Sequence, residues 1–245
     1  MVPAAGYSCA QEGRTVTLVK PSVLVFDVNE TLVDIDSLAP LFGERFGDER
    51  VLRDWFAQLI MYSMTVTLAG NYVDFPTLAR GVLRMLGDAY RVDIADDDLS
   101  RLTTGLLTMP AHPDAADGLA ALRDNGFRLV TLTNSPPNPN GPTALQNSGL
   151  GGFFEHQLSV DACRAFKPSR AVYHYVCEIL EVSPADCMMV AAHAWDTLGA
   201  QHAGFSAALI TRPGNPPLPV DGLPQPTLVV SDLRELAERL IRIDN

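Results

Sequence analysis

Val23-Leu24-Val25-Phe26-Asp27-Val28-Asn29-Glu30-Thr31-Leu32-Val33-Asp34 is the stretch whose reading decides the fold. Its first four residues are apolar, two of them valine, and follow Lys20-Pro21-Ser22. They read as a short strand buried on both faces. Asp27 comes directly after it, and in an open parallel sheet ligands gather beyond the carboxyl ends of the strands. The position suits a reacting carboxylate. It equally suits a turn or a helix cap, two roles in which aspartate is common.

Beyond Asp34 the apolar period changes from strand to helix. Ser37 can cap a helix carrying Leu38, Leu41, Phe42 and Phe46. Asp48 can cap a longer one, on which Val51, Leu52, Trp55, Phe56, Leu59 and Ile60 recur at spacings of three and four, ending at Gly70-Asn71. A third helix is predicted over residues 75–86, stopped by Gly87. A fourth starts at Asp96-Asp97-Asp98, whose carboxylates suit a helix N-terminus, and runs to about residue 107. The proline-containing stretch 109–114 reads as a hinge back.

From there strands at 127–133, 156–160, 188–192, 207–211 and 228–230 alternate with helices at 115–123, 170–181, 197–203 and 232–243. Alternation of this kind makes a parallel sheet. The Pro-rich spans 136–142 and 213–226 read as loops. The fold class predicted is α/β, a doubly wound, Rossmann-like parallel sheet over residues 21–35 and 110–245. A helical cap, residues 36–109, is inserted after the first strand, and residues 1–20 form a loose N-terminal extension. A lid inserted at that point would keep water from Asp27.

The totals narrow the partners. Eighteen basic against 29 acidic side chains give a formal net charge of −11. Clustered Lys and Arg are what phosphate backbones and anionic membranes require, so neither nucleic acid nor a membrane surface is expected as a partner. A small anionic substrate is compatible with this charge if the site supplies its own cation and N–H groups. Cys9, Cys163, Cys177 and Cys187 show no metal-ligand pairing and read as reduced thiols. No apolar run reaches membrane-spanning length, the first twenty residues lack the pattern of a signal peptide, and a cytoplasmic location is expected.

Four short patterns then fall in order. Phe26-Asp27-x-x-x-Thr31-Leu32 resembles the first motif of the haloacid dehalogenase superfamily, and Asp-Val-Asn-Glu-Thr-Leu-Val-Asp resembles its L-2-haloacid dehalogenase branch. Leu132-Thr133-Asn134-Ser135 is similar to the second motif, Phe166-Lys167-Pro168 to the third, and Val190-Ala191-Ala192-His193-Ala194-Trp195-Asp196 to the fourth. Four motifs in order are far more specific than any one. The resemblance covers residue 23 to the C-terminus and agrees with the architecture above.

Physical chemistry gives each residue a function and a blander alternative. Thr133 and Asn134, with free N–H groups at a strand end, can hold a substrate carboxylate, or simply form a Thr/Asn turn. Lys167 is by default a surface lysine; beside Asp27 it would keep that carboxylate ionised. Tyr173 corresponds to a tyrosine of the dehalogenase site, or packs in the core. Asp196 would hold Lys167 or a water, or cap the helix that follows. His193 stands where the family has asparagine; it can activate the water that cleaves an ester intermediate, or be a hydrogen-bonded structural residue.

The resemblance implies that Asp27 is the nucleophile, positioned by Thr31. Phosphatases of the superfamily have a second aspartate two residues after it as general acid, and here that position is Asn29. They also bind Mg²⁺ with acidic residues four apart in the fourth motif, where this chain pairs Asp196 with Ala192. Displacement of halide needs neither. The expected activity is hydrolysis of a short 2-haloalkanoic acid through an aspartyl ester, without cofactor or metal. Mg²⁺ would enter only in the alternative, a phosphatase, and a third reading is a member that binds without turnover. One departure concerns the leaving group: the family's arginine after the first cap tryptophan is here Phe56, with Arg53 nearby on another helical face. Low activity toward simple haloacids, or a different substrate, is therefore expected. A homodimer is common in the family and compatible with the apolar cap surface.

Overall fold

Strand β1 (Val23–Phe26) lies at the centre of a six-stranded parallel sheet in a computed structural model, which describes residues 20–244. The expected loose extension, residues 1–20, and Cys9 therefore lie outside the described residues except for Lys20. All four β1 side chains are fully buried. Burial of side chains this size contributes roughly 1.5–3 kcal/mol each, which fixes the strand's place in the sheet.

Four helices follow β1 before any other strand of the sheet: α1 (Ala39–Phe46), α2 (Val51–Leu68), α3 (Phe75–Tyr90) and α4 (Asp96–Leu107). Then come α5 (Ala115–Asp124), β2 (Arg128–Thr133), α6 (Ala144–Asn147), β3 (His156–Ser159) and α7 (Arg170–Leu180). The chain closes with β4 (Cys187–Ala191), α8 (Ala194–His202), β5 (Ser206–Ile210), β6 (Leu228–Val230) and α9 (Leu233–Ile241). Strand order is β3-β2-β1-β4-β5-β6. Leaving β1 the chain moves outward to β3, then returns to the other side of β1, so the direction of winding switches between β1 and β4. Right-handed crossovers then put α5 and α6 on one face of the sheet and α7 and α8 on the other. The crevice at such a switch, beyond the strand ends, is where ligands bind in this architecture.

The two passages between the sheet and the inserted helices run side by side. Asp34 donates its N–H to Pro110 O at 2.8 Å, and His112 donates to Leu32 O at 2.9 Å. A buried pair missing from the sequence reading secures them: Arg212 reaches Asp114 Oδ1 at 2.7 Å and Thr31 O at 2.9 Å. Within the inserted helices, Trp55 on α2 is fully buried and donates Nε1–H to Ala79 O on α3 at 3.0 Å. The apolar core runs without a break from the sheet into these helices.

Several boundaries differ from the sequence reading. Ser37 is not a helix cap; a short 3₁₀ turn, Ile35–Leu38, precedes α1, and Asp34 caps it by accepting from Asp36 N. Asp48 accepts from Arg50 N, a turn ahead of α2. Gly87 does not stop α3. A Cβ there would lie 2.8 Å from Val92 O, so the glycine serves a close approach, and the left-handed stop falls at Arg91 with φ 58°. Helix α8 starts at Ala194, three residues earlier than expected.

Candidate active site

The ladder continues one residue past β1, since Asp27 donates its N–H to Val190 O at 3.0 Å. A tight turn then brings Thr31 back over the aspartate, closed by Leu32 N–H to Val28 O at 2.9 Å. The Thr31 hydroxyl donates to Asp27 Oδ2 at 2.7 Å and accepts from Ala192 N at 2.9 Å. One hydroxyl thus joins the carboxylate to the end of β4.

Lys167 arrives from the loop ahead of α7 and is buried, with 1% of its surface exposed. Its Nζ donates to Asp27 Oδ1 at 2.7 Å, to Asp196 Oδ2 at 2.6 Å and to Leu132 O at 2.9 Å. All three ammonium protons are satisfied, as a buried lysine requires. Asp196 is the third residue of α8 and no cap; the other end of its carboxylate accepts from Tyr173 OH at 2.7 Å. The packing leaves no slack here: a Cβ on Gly199 would lie 2.7 Å from Tyr173 OH and 2.4 Å from Pro168 Cβ.

Burial alone would push the Asp27 carboxyl up; the ammonium of Lys167, with help from His193, instead holds it well below the usual carboxylate range. Asp196 is pushed up by burial and by the neighbouring Asp27, against the pull of Lys167. Lys167 is lowered by burial but raised overall by Asp196 and Asp27. The Lys167 ammonium thus favours the ionised form of Asp27, the carboxylate at the strand end.

His193 lies across from this pair. Its ring stacks on Trp195 at 4.9 Å and faces Phe56 at 5.6 Å. Nε2 is 2.7 Å from Glu30 Oε2, while Nδ1 is buried without a hydrogen bond, 3.5 Å from Asp27 Oδ2. Glu30 is buried, and its other oxygen pairs with Arg53. Arg53 also binds Asp36 at 2.7 Å.

The expected site residues thus divide. Asp27, Thr31, Lys167, Asp196 and His193 come together at the switch point. Phe56 lines a cavity of about 690 Å³ with Glu30, Arg53, Ile60, His193 and Trp195. Thr133 lines a smaller one of about 130 Å³ with Asn29 and Ser135, and accepts from Ser135 N. Asn134 is buried, and its Oδ1 accepts from Lys167 N at 3.2 Å. Tyr173 likewise lies behind the charged pair, fully buried, with its hydroxyl on Asp196. Both contact the lysine–aspartate pair. Sequence reading missed Glu30; the one signal was a second acidic residue three positions after Asp27 in the first motif.

Removing the Tyr173 hydroxyl leaves an oxygen of a buried carboxylate without its donor. Tyr173→Phe is expected to cost about 1.5–3 kcal/mol, since hydrogen bonds to charged groups fall in that range. A denaturant melt with unchanged slope and lower midpoint checks this; an unchanged midpoint contradicts it.

A family model described as haloacid dehalogenase-like hydrolase matches residues 21–204. The (S)-2-haloacid dehalogenase 1 of Pseudomonas sp. (strain CBS-3) is 31% identical over 221 residues, covering 89% of this chain and 96% of that protein. The (S)-2-haloacid dehalogenase 4A of Burkholderia cepacia is 31% identical over 195 residues, 79% of this chain and 84% of that one. Among solved structures, L-2-haloacid dehalogenase from Xanthobacter autotrophicus with chloropropionic acid covalently bound superposes with a TM-score of 0.80. It is 27% identical, and the match covers 91% of this chain and 98% of that chain.

Proposed function

The chain belongs to the haloacid dehalogenase-like hydrolase family, and on that premise we propose that it hydrolyses the carbon–halogen bond of a short 2-haloalkanoic acid. One observation carries the reading: a single buried ammonium, Lys167 Nζ, holds Asp27 Oδ1 at 2.7 Å and Asp196 Oδ2 at 2.6 Å. It keeps Asp27 ionised at the mouth of the sheet. The Asp27 carboxylate attacks the halogen-bearing carbon from the side opposite the halogen, the carbon–halogen bond breaks with its electrons, and that centre inverts. The result is an ester of Asp27. Water then attacks the ester's carbonyl carbon on Asp27 and releases a 2-hydroxy acid. The solved structure from Xanthobacter, with chloropropionic acid covalently bound, supports a covalent route in a relative.

Thr31 fixes the orientation of the nucleophile, and Asp196 fixes Lys167 in turn. Residues 36–109 serve as the cap that excludes water. His193 is placed to handle the proton of the second step. The larger cavity, bounded by Phe56, Ile60 and Trp195, would receive the apolar part of the substrate. No helix of the described residues is long and apolar enough to cross a membrane.

The donor set does not suit Mg²⁺, which seeks oxygen ligands. The two converging carboxylates are bridged by an ammonium, and the residue four before Asp196 is Ala192, which offers no side-chain oxygen. No cofactor is needed for a leaving group that departs as a stable anion. The test is halide release from 2-chloropropionate and fluoroacetate without added metal, beside turnover of a generic phosphoester with Mg²⁺. Halide release in metal-free buffer is expected; metal-dependent phosphoester turnover without halide release would replace this reading with the phosphatase one.

A further inference from the structure

We propose that Tyr72 is a positioning residue for Lys167: through Phe166 it ties the far end of cap helix α2 to the loop that carries the lysine, so the ammonium reaches Asp27 only while the cap is seated. The inference rests on the dehalogenase reading for its consequence in the reaction. It goes beyond that reading by giving the cap a part in placing charge as well as in excluding water.

Residues 164–169, which include Lys167, belong to no helix or strand; they run from a 3₁₀ turn (Val160–Cys163) to α7. Two backbone N–H groups of this loop are taken by side chains. Lys167 N–H goes to Asn134 of the core at 3.2 Å, whereas Phe166 N–H goes to Thr67 Oγ1, in the last turn of α2, at 2.9 Å. Tyr72, just beyond α2, lays its ring on Phe166 with centroids 4.9 Å apart and planes inclined by 30°. Its hydroxyl donates to Asp161 Oδ1 at 2.9 Å, and Asp161 N–H is held by Ser159 Oγ, at the end of β3, at 3.2 Å. The Arg164 guanidinium sits 4.7 Å from the Tyr72 ring centroid and donates to Tyr72 O at 3.4 Å. Arg164 has φ 51°, a left-handed backbone that a non-glycine residue keeps only where its surroundings over-determine it. Tyr72, from the cap, supplies both of those contacts. This is a second tie between cap and core, separate from the passages at Asp34 and His112.

Phe166 is fully buried and directly precedes Lys167, so a shift of its backbone carries the lysine with it. The Nζ contact with Asp27 Oδ1 at 2.7 Å depends on that placement, and a small displacement of a positioning group is costly to a reaction. Neither Tyr72 nor Thr67 bonds to Asp27; their effect on the nucleophile passes through the lysine.

The chain has two lysines, Lys20 and Lys167, which makes a direct test possible. Tyr72→Leu keeps an apolar side chain and removes the ring and its hydroxyl. The full-length folded protein, well below its melting temperature, is acetylated briefly with acetic anhydride, and labelling of Lys167 is read against Lys20 by peptide mass. Wild-type Lys167 is expected to be protected. In Tyr72→Leu its relative labelling is expected to rise by about tenfold or more, because exposure follows the population of local openings that these contacts suppress. A second readout is first-turnover halide release from 2-chloropropionate at pH 5 and pH 8. Asp27 faces Lys167 and His193, with Asp196 on the far side of the ammonium. His193 is present in both proteins, so the variant-to-wild-type rate ratio reports the lysine. A withdrawn ammonium lets the Asp27 carboxyl rise, and the ratio is expected to be about three- to tenfold lower at pH 5 than at pH 8. Structural damage alone lowers the ratio equally at both. Should Tyr72→Leu not fold, Thr67→Val removes only the acceptor of Phe166 N–H, and the same two changes are expected in smaller measure. A folded variant with Lys167 still protected, or with equal ratios at the two pH values, overturns the proposal and leaves the dehalogenase reading standing. Labelling needs no substrate, so absence of halide release from the wild-type protein overturns the dehalogenase reading separately.

Discussion

Replacing Lys167 by methionine is expected to damage both the fold and the reaction. Two buried carboxylates, Asp27 and Asp196, now share one ammonium within 2.7 Å of each. Removing one partner from a buried ion pair costs about 3–5 kcal/mol, because a charge is left without compensation. Here two are left, facing each other. The pH dependence gives a sharper signature. In the wild-type protein Asp27 is held below its usual range. A depressed carboxyl contributes stability above its unfolded value of about 3.9, and that contribution is lost as pH falls through the folded value.

Lys167 is raised above its unfolded value, so its contribution is complete below about 10.4 and is lost only as pH rises through the raised value. Wild-type stability from this pair is therefore flat across neutral pH. In Lys167→Met, burial is unopposed by the ammonium and the Asp27 carboxyl rises. A raised carboxyl contributes most below its unfolded value and destabilises as pH climbs, so the variant should melt at higher temperature at pH 5 than at pH 8. Melting curves at the two pH values check this. A variant as stable as wild type, or more stable at pH 8, would contradict the assigned pair.

Asp27→Asn is expected to do the reverse: abolish turnover and spare the fold. The amide oxygen is a poor nucleophile, and deleting a covalent nucleophile costs on the order of 10⁴–10⁶-fold in kcat in other hydrolases. Yet the charge left behind balances, one ammonium of Lys167 against one carboxylate of Asp196 at 2.6 Å. The Thr31 hydroxyl retains its bond with Ala192 N. Halide release should vanish while the melting temperature stays close to wild type. Equal rates of halide release in the two proteins would exclude Asp27 from the chemistry.

What could be read from the chain alone was whatever is local. The strand ending at Asp27 was visible because four apolar residues and a carboxylate are adjacent, and the parallel class of its sheet followed from the alternation downstream. The inserted helices were visible from their apolar period. Side-chain direction was not. Asn134 turns to the backbone of Lys167, 33 residues on, and Tyr173 to Asp196, 23 residues on; no pattern within one element encodes either choice. The same holds for Arg212 and Asp114, 98 residues apart. Gly87 was misread because a glycine that stops a helix and one that admits a neighbour look alike in sequence. Glu30 was overlooked because its role exists only where a left-handed turn, Arg53 on α2 and His193 beyond β4 meet.

The central claim is that the substrate becomes bonded to Asp27. A single turnover of 2-chloropropionate in heavy-oxygen water, with protein in excess, tests it most directly. Hydrolysis at the carbonyl carbon places the heavy oxygen in the Asp27 carboxylate and leaves the first-turnover product unlabelled, so the peptide containing Asp27 should gain the label. Heavy oxygen in the product hydroxyl, with an unlabelled Asp27 peptide, would mean that water displaces the halide itself, and the account would be wrong.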